Sequence, residues 1–348
     1  MTLLRHLGAA IVVALIVGYL SISLNAFRDF QIAEIAVYVV AVAGLTVLIG
    51  LSGQISIGHG AFMAVGAYAA ALLLMHLGWP LEAVLAASAV ITALAGLLVG
   101  VAAARLRGPY LAGVTLMLAV ALPSLADQFA GAFGGDQGLS VGVTTPAFLG
   151  ATFPLTRWLA WVSCAAALIT LVLLANLSRS RIGRSWRAVR DDEAAAALAG
   201  LNVARLRILA FVVSAACAGL AGALLGIVTS LVSPGSFTLT LSIALLTGAV
   251  IGGLGSLAGA VWGSLVIVLV PTYVTDVATS HGLSSSVAAN IPVVAYGVVL
   301  IVVMLAFPAG IQGALRRLYG PVIPAASGSL NTLRRHAPAS EHPEEGTQ

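Results

Sequence analysis

Few residues in this chain could do covalent chemistry. Gly50-Leu51-Ser52-Gly53 places a serine in the GxSG pattern that suits a nucleophile buried in a membrane, and His59 is the nearest candidate base. The two lie seven residues apart. On a helix that is roughly 10 Å along the axis, beyond the hydrogen-bond reach that activation of a nucleophile requires. His281 falls in a polar loop. Cys164 and Cys217 each sit in an apolar run and read as small packing residues, not as a metal pair or a disulfide. All 16 cationic side chains are arginine. Without lysine, a Walker A loop has no side chain to reach nucleotide phosphates and Schiff-base catalysis has no amine.

What remains is non-covalent. GLSGQISIGHG (Gly50–Gly60) concentrates glycines and polar residues between two apolar runs. Gly53 and Gly58 permit an unwound backbone. Gln54, Ser56 and His59 bring donors and acceptors that are costly at membrane depth unless they face a cavity or another helix. The stretch reads either as a broken helix lining a solute path or as a seam of small residues between helices. A second polar site, Gly135-Asp136-Gln137-Gly138, reads as a turn, or as a contact for an external partner or a substrate ammonium.

The third candidate is the polar island Arg179–Arg207, which holds seven of the 16 arginines and three of the 12 acidic residues. Ile182, Trp186 and Val189 recur on one helical face. Arg184, Arg187 and Arg190 lie mostly off it, and Asp191 or Asp192 is placed to pair with an arginine one turn back. The spacing predicts a short helix, then the strong helix former AAAALAG with Glu193 and Ala197, a turn at Gly200, and re-entry at Arg205 and Arg207. Such a segment either lies on lipid headgroups or docks into a partner's cleft, as Trp186 and the run of small residues favour.

Hydrophobic residues make up 60% of the 348-residue chain, charged residues 8%, and mean hydropathy is +1.08. A soluble domain carries about a quarter charged residues, so this chain cannot cover a globular surface with polar groups. Continuous apolar runs without period-two alternation favour helices over a barrel. The expected fold is an all-α integral membrane protein, a polytopic bundle of about ten transmembrane helices with broken or Gly-rich segments. The expected spans are Leu7–Leu24, Ile32–Gly50, Ala61–Leu77, Glu82–Ala104, Pro109–Ala126, Trp158–Leu177, Ile208–Leu231, Thr238–Gly253, Ser256–Val274 and Ile291–Phe307. Leu7–Leu24 follows a basic start like that of a signal peptide, but no small-x-small cleavage site follows it. Residues 1–312 form the membrane domain and 313–348 a partly disordered tail. Placing Arg105/Arg107, the 179–207 loop and the basic tail on the cytoplasmic side leaves both termini there. Arg157 is then the one exception, alone at an outer span boundary. Asp276 and Glu82 read as solvated span ends. The net charge of +4 sits in loops beside spans and points to lipid, not to nucleic acid.

GLSGQISIGHGAFMAVGAYAAALL, RGPYLAGVTLMLA, GGDQGL, SRIGRSWRAVRDDEAAAALAGLNVARLR and SPGSFTLTLSIALLTGAVIGGLGSLAG follow one another in this order. Together they resemble the LivM-like permease subunits of branched-chain amino-acid ABC transporters, over roughly residues 32–307. The resemblance implies a multi-pass subunit in a bacterial inner membrane, which imports branched-chain amino acids and has no cofactor of its own. It implies a second homologous permease, two cytoplasmic ATPase subunits that bind the ATP, and a periplasmic solute-binding protein. It places a coupling helix at about Arg184–Gly200, while the polar stretches themselves suggest a translocation path at Gly53, Gln54, Ser56, Gly58, His59, Gly135, Asp136 and Gly138. Family members often carry a glutamate within the alanine run, where this chain has Ala194–Ala197. Related permeases carry urea or short amides, which the pore sequence leaves open. An ion-driven secondary transporter is the reading from another class; it needs a charged residue well inside a span, and none is evident.

Overall fold

The computed structural model describes residues 25–104, 109–146, 150, 153–280, scattered helical positions between 291 and 305, and 310–319. It is an all-α polytopic membrane protein. Eight helices among the described residues are long and apolar enough to cross a bilayer. Of the other two expected spans, Leu7–Leu24 lies outside the described residues and Ile291–Phe307 mostly so.

Two helices organise the core. α1 (Ala26–Thr46) continues through a wide π-turn, Val47–Leu51. The short helix α2 (His59–Leu77) and then α3 (Leu81–Ala103) follow it. α4 is Pro109–Gln128, α5 is Ala130–Phe133, and α6 is Leu155–Arg179. Beyond the polar island, α9 (Val203–Thr229) packs against α1, α2 and α3, while α1 also packs against α6. α10 (Leu239–Gly252) and α11 (Leu257–Ser280) close the other flank of α1.

No hydrophobic force drives one apolar helix onto another in lipid, so association rests on close packing of small residues. α9 supplies them. A Cβ at Gly222 would strike the Met63 carbonyl on α2, and one at Gly66 would strike the backbone of Gly219. Phe62 and Phe211 meet edge to face beside this seam, with ring centroids 5.8 Å apart.

Several expectations change. Asp29 belongs to the first turn of α1 and is buried, where a polar link was expected. Its carboxylate lies 3.4 Å from Arg157 in the first turn of α6. Arg157 is therefore not alone at its boundary; it neutralises a buried acid from another helix. Glu34 is the ninth residue of α1, and Asp276 lies on α11. Glu34 therefore sits inside a span, whereas Asp276 lies near the end of its own, as expected. The described part of the connection after α4 contains α5, a 3₁₀ turn at Gly135–Gln137, and a two-residue strand β1 (Leu139–Ser140), antiparallel to β2 (Leu231–Val232) after α9. Helix α12, Gly310–Tyr319, runs through the boundary expected at 312.

Candidate functional site

The polar island folds as three capped steps. Ser180 accepts from Gly183 N–H at 3.4 Å and opens α7 (Arg181–Asp191). Asp192 accepts from Ala195 N–H at 3.0 Å and opens α8 (Glu193–Leu198). Asn202 accepts from Arg205 N–H at 3.0 Å and opens α9. Ser, Asp and Asn are the side chains that best satisfy the orphan donors of a helix start. α8 ends in a Schellman turn: Leu201 N–H reaches the Ala196 carbonyl, Gly200 N–H reaches Ala197, and Gly200 takes φ +83°.

The island is tied to the bundle from the inside. Trp186 is fully buried and its indole N–H donates to the Leu206 carbonyl at 2.9 Å. Gly183, Trp186 and Val189 form the buried face of α7, while Ile182, expected on it, is exposed. Arg184 donates to the Arg179 carbonyl and Arg187 to the Ser178 carbonyl, both at 3.0 Å. Arg190 donates to the carbonyl of Gly50 at the end of α1. All three arginines thus bond carbonyls at helix C-termini, where orphan acceptors and the negative dipole end favour a cation. Asp191 pairs with its neighbour Arg190 at 2.8 Å, and not with an arginine one turn back. Glu193 pairs with Arg207 on α9 at 2.8 Å.

Those inward contacts leave a distinct outer surface. Asp191, Asp192, Ala194, Ala197 and Gly200 are exposed. Between them stands Leu198, 90% exposed, the most exposed large apolar side chain of the island. Its signal was present in the sequence as one bulky apolar residue ending an alanine run. Beside it a cleft of about 530 Å³ is lined by Glu193, Ala194, Ala197, Leu201, Ala204, Arg207 and Ala104. Ala104, at the end of α3, therefore lies at the same end of the bundle as the island.

The broken stretch begins at that end and enters the bundle. Ser52 Oγ donates to the Leu48 carbonyl at 2.7 Å, and His59 Nε2 bonds the Ala41 carbonyl at 2.9 Å. Serine and histidine are thus engaged separately, and no dyad exists. Gln54 donates to Ser52 Oγ at 2.9 Å and to the Arg207 carbonyl at 3.1 Å. Ile57 N–H donates to Thr115 Oγ1 at 3.1 Å, and Gly58 lies flush against the Thr115 carbonyl. Gly60 N–H donates to Ser242 Oγ at 3.0 Å, so the first turns of α2 and α10 meet inside the bundle. Converging helix N-termini favour an anionic group such as a carboxylate. Among the described residues Ser56 Oγ, buried there, has no hydrogen-bond partner.

The second polar stretch is elsewhere. Gly138 (φ +72°) lies against the Val232 carbonyl beyond the far end of α9, Gly135 is buried and Asp136 exposed. Gln54 sits beside Arg207 near the start of α9, roughly 35 Å away at about 1.5 Å per helical residue. Gly60, at the other end of the first stretch, lies instead beside the first turn of α10, which follows a 3₁₀ turn at Pro234–Phe237. Among the described residues no cluster of His, Cys, Asp and Glu is fit to hold a metal.

A family model described as "branched-chain amino acid transport system / permease component" matches residues 27–308. The chain belongs to that family. Within it, LivM of Escherichia coli, described as a high-affinity branched-chain amino acid transport system permease protein, is 33% identical over 256 residues. That match takes in 67% of this chain and 60% of LivM, so the chain spans less than two thirds of that relative's length. LivH of E. coli is 28% identical over 305 residues, 79% of this chain and 91% of LivH. BraD of Pseudomonas aeruginosa is 36% identical over 146 residues, 42% of this chain and 44% of BraD. The matched region runs from the first turn of α1 past α11, so it contains both the broken stretch and the polar island.

Proposed function

We propose that this chain is the permease subunit of a bacterial inner-membrane ABC importer and forms part of the path for branched-chain amino acids. Both chain ends and the polar island face the cytoplasm in this reading, as positive charge favours. The chain is not an enzyme and holds no cofactor; two partner ATPase subunits bind and hydrolyse ATP. A second homologous permease completes the path, and a periplasmic solute-binding protein delivers the solute. Urea or short amides carried by the same machinery form the second reading.

One observation carries the proposal beyond family membership. The island is anchored by three arginines and Trp186 on its inner side, yet exposes Leu198 beside an open cleft on its outer side. A rigid helix pair offering one apolar knob among small residues suits docking into a partner and transmission of its movement. The absence of lysine supports an energy source on another chain.

The test is reconstitution in liposomes with the neighbouring permease, ATPase and binding-protein genes' products. ATP-dependent uptake of leucine, isoleucine and valine, uncompeted by urea, is the expected result. Uptake driven by an ion gradient without ATP, or ATP hydrolysis by the isolated chain, would defeat the proposal.

A further inference from the structure

Arg190 stays partly exposed, yet its guanidinium makes its hydrogen bonds within this chain. Its Nη1 donates to the Gly50 carbonyl, where the π-turn ends α1. Nε and Nη2 both donate to Asp191 Oδ1, at 2.9 and 2.8 Å, which fixes the plane of the guanidinium. Its aliphatic stem lies against Gly53, where an added Cβ would stand 2.8 Å from Arg190 Cγ. Gly53 has φ +73°, a conformation that disfavours any side chain. One arginine therefore grips both the carbonyl and the turn that end α1.

Gly50 in turn touches a second element. A Cβ there would collide with the backbone of Gly255, in the joint between α10 and α11. From Gln54 onward the stretch meets α4 through Ile57 and Gly58 at Thr115, and α10 through Gly60 at Ser242. A shift of Gly50–Gln54 is therefore felt by the α10–α11 joint and, through the stretch, by α4 and the first turn of α10. Close-packed backbone contacts of this kind transmit displacement because they leave no slack.

We propose that Arg190 is the positioning residue that transmits movement of α7 to the Gly50–Gly58 stretch and the α10–α11 joint. This rests on the importer reading, in which a partner moves α7. Lysine could keep one bond to Gly50 but not the planar fork that also holds Asp191.

The test uses Arg190→Ala and Arg190→Lys, with Arg181→Ala as a control, because Arg181 is exposed at the first position of α7 and lies before the Arg184–Gly200 segment. Ile55, 55% exposed within the stretch, is replaced by cysteine after Cys164 and Cys217 are changed to alanine. In the chain alone, in membranes, Arg190→Ala is expected to speed labelling of that thiol by a membrane-impermeant maleimide by about tenfold, on the scale of one charge-assisted hydrogen bond. In the assembled importer, Arg190→Ala should keep ATPase binding and hydrolysis while uptake per ATP falls about tenfold. Arg190→Lys should fall between, and Arg181→Ala should match wild type. Unchanged labelling in the chain alone overturns the inference. So does loss of ATPase binding in Arg190→Ala, which would make Arg190 a docking residue. If labelling rises but the wild-type assembly imports nothing with ATP, the importer reading fails, and the transmitting role falls with it.

Discussion

The indole N–H of Trp186 donates to the Leu206 carbonyl at 2.9 Å, joining the helix of the polar island to the first turns of α9. Arg205, Leu206 and Arg207 lie near the start of that helix, which Asn202 caps and which Glu193 and Gln54 also hold at Arg207. Trp186 is fully buried, so its ring packs within this chain and does not reach a partner. Trp186→Phe keeps most of the volume and loses the bond, at an expected cost of about 1 kcal/mol. Trp186→Ala should cost about 3–5 kcal/mol through the cavity it leaves. Thermal unfolding in detergent checks both, and equal midpoints for the two variants would contradict the buried geometry.

Asp29 and Arg157 make the second testable contact. Asp29 is 1% exposed and Arg157 20%. Breaking a buried pair from one side leaves an uncompensated charge and costs about 3–5 kcal/mol, whereas replacing both partners is often nearly neutral. Arg157→Gln alone should therefore destabilise far more than Arg157→Gln combined with Asp29→Asn. A double variant as unstable as the sum of the two singles would show that the ion pair is not what matters at this site.

The bundle was legible in the sequence because hydropathy alone decides which segments can cross lipid. The centres of the eight described spans agree, while ends differ by a few residues: α9 begins at Val203, not at Ile208, because Asn202 caps it. The polar island was legible as an exposed segment of short helices, but not its two sides. Arg184, Arg187 and Arg190 have the charge of a docking surface, and only the fold shows that each meets a helix carbonyl. Arg190 and Gly50 are 140 residues apart, and Arg157 and Asp29 are 128 apart, so no local pattern links them. Leu198 was passed over for the opposite reason. An apolar residue is unremarked in a chain that is 60% hydrophobic until its exposure is known.

The α2–α9 seam predicts sensitivity to single methyl groups. Gly222→Ala pushes a Cβ into the Met63 carbonyl, and Gly66→Ala does the same to Gly219. Backbone has nowhere to retreat in a packed bundle, and overpacking of this kind costs about 1–3 kcal/mol or more. Gly113→Ala, on α4 with nothing within 4 Å, should instead be neutral or stabilise by up to about 1 kcal/mol. Yield of monodisperse protein and its melting temperature separate the two classes; a Gly222→Ala variant as stable as Gly113→Ala would mean that the helices can separate freely.

Leu198 offers the sharpest test of what the island does. Its side chain supports nothing within the chain, being 90% exposed, so Leu198→Asp should leave insertion and melting temperature unchanged. If the residue is the apolar knob of a docking surface, burying a carboxylate at the contact should weaken binding of the ATPase subunits by about 2 kcal/mol or more, the scale of an interface hot spot. Leu198→Ala should fall between, because it loses contact area without adding a charge. Glu193→Arg places like charges beside Arg207. It should instead disturb the island from within, lowering uptake together with the protection of α8 from proteolysis. Co-purification of the ATPase subunits with each variant, read beside ATP-driven uptake, distinguishes the two effects. Wild-type co-purification of Leu198→Asp would move the docking surface elsewhere on the island.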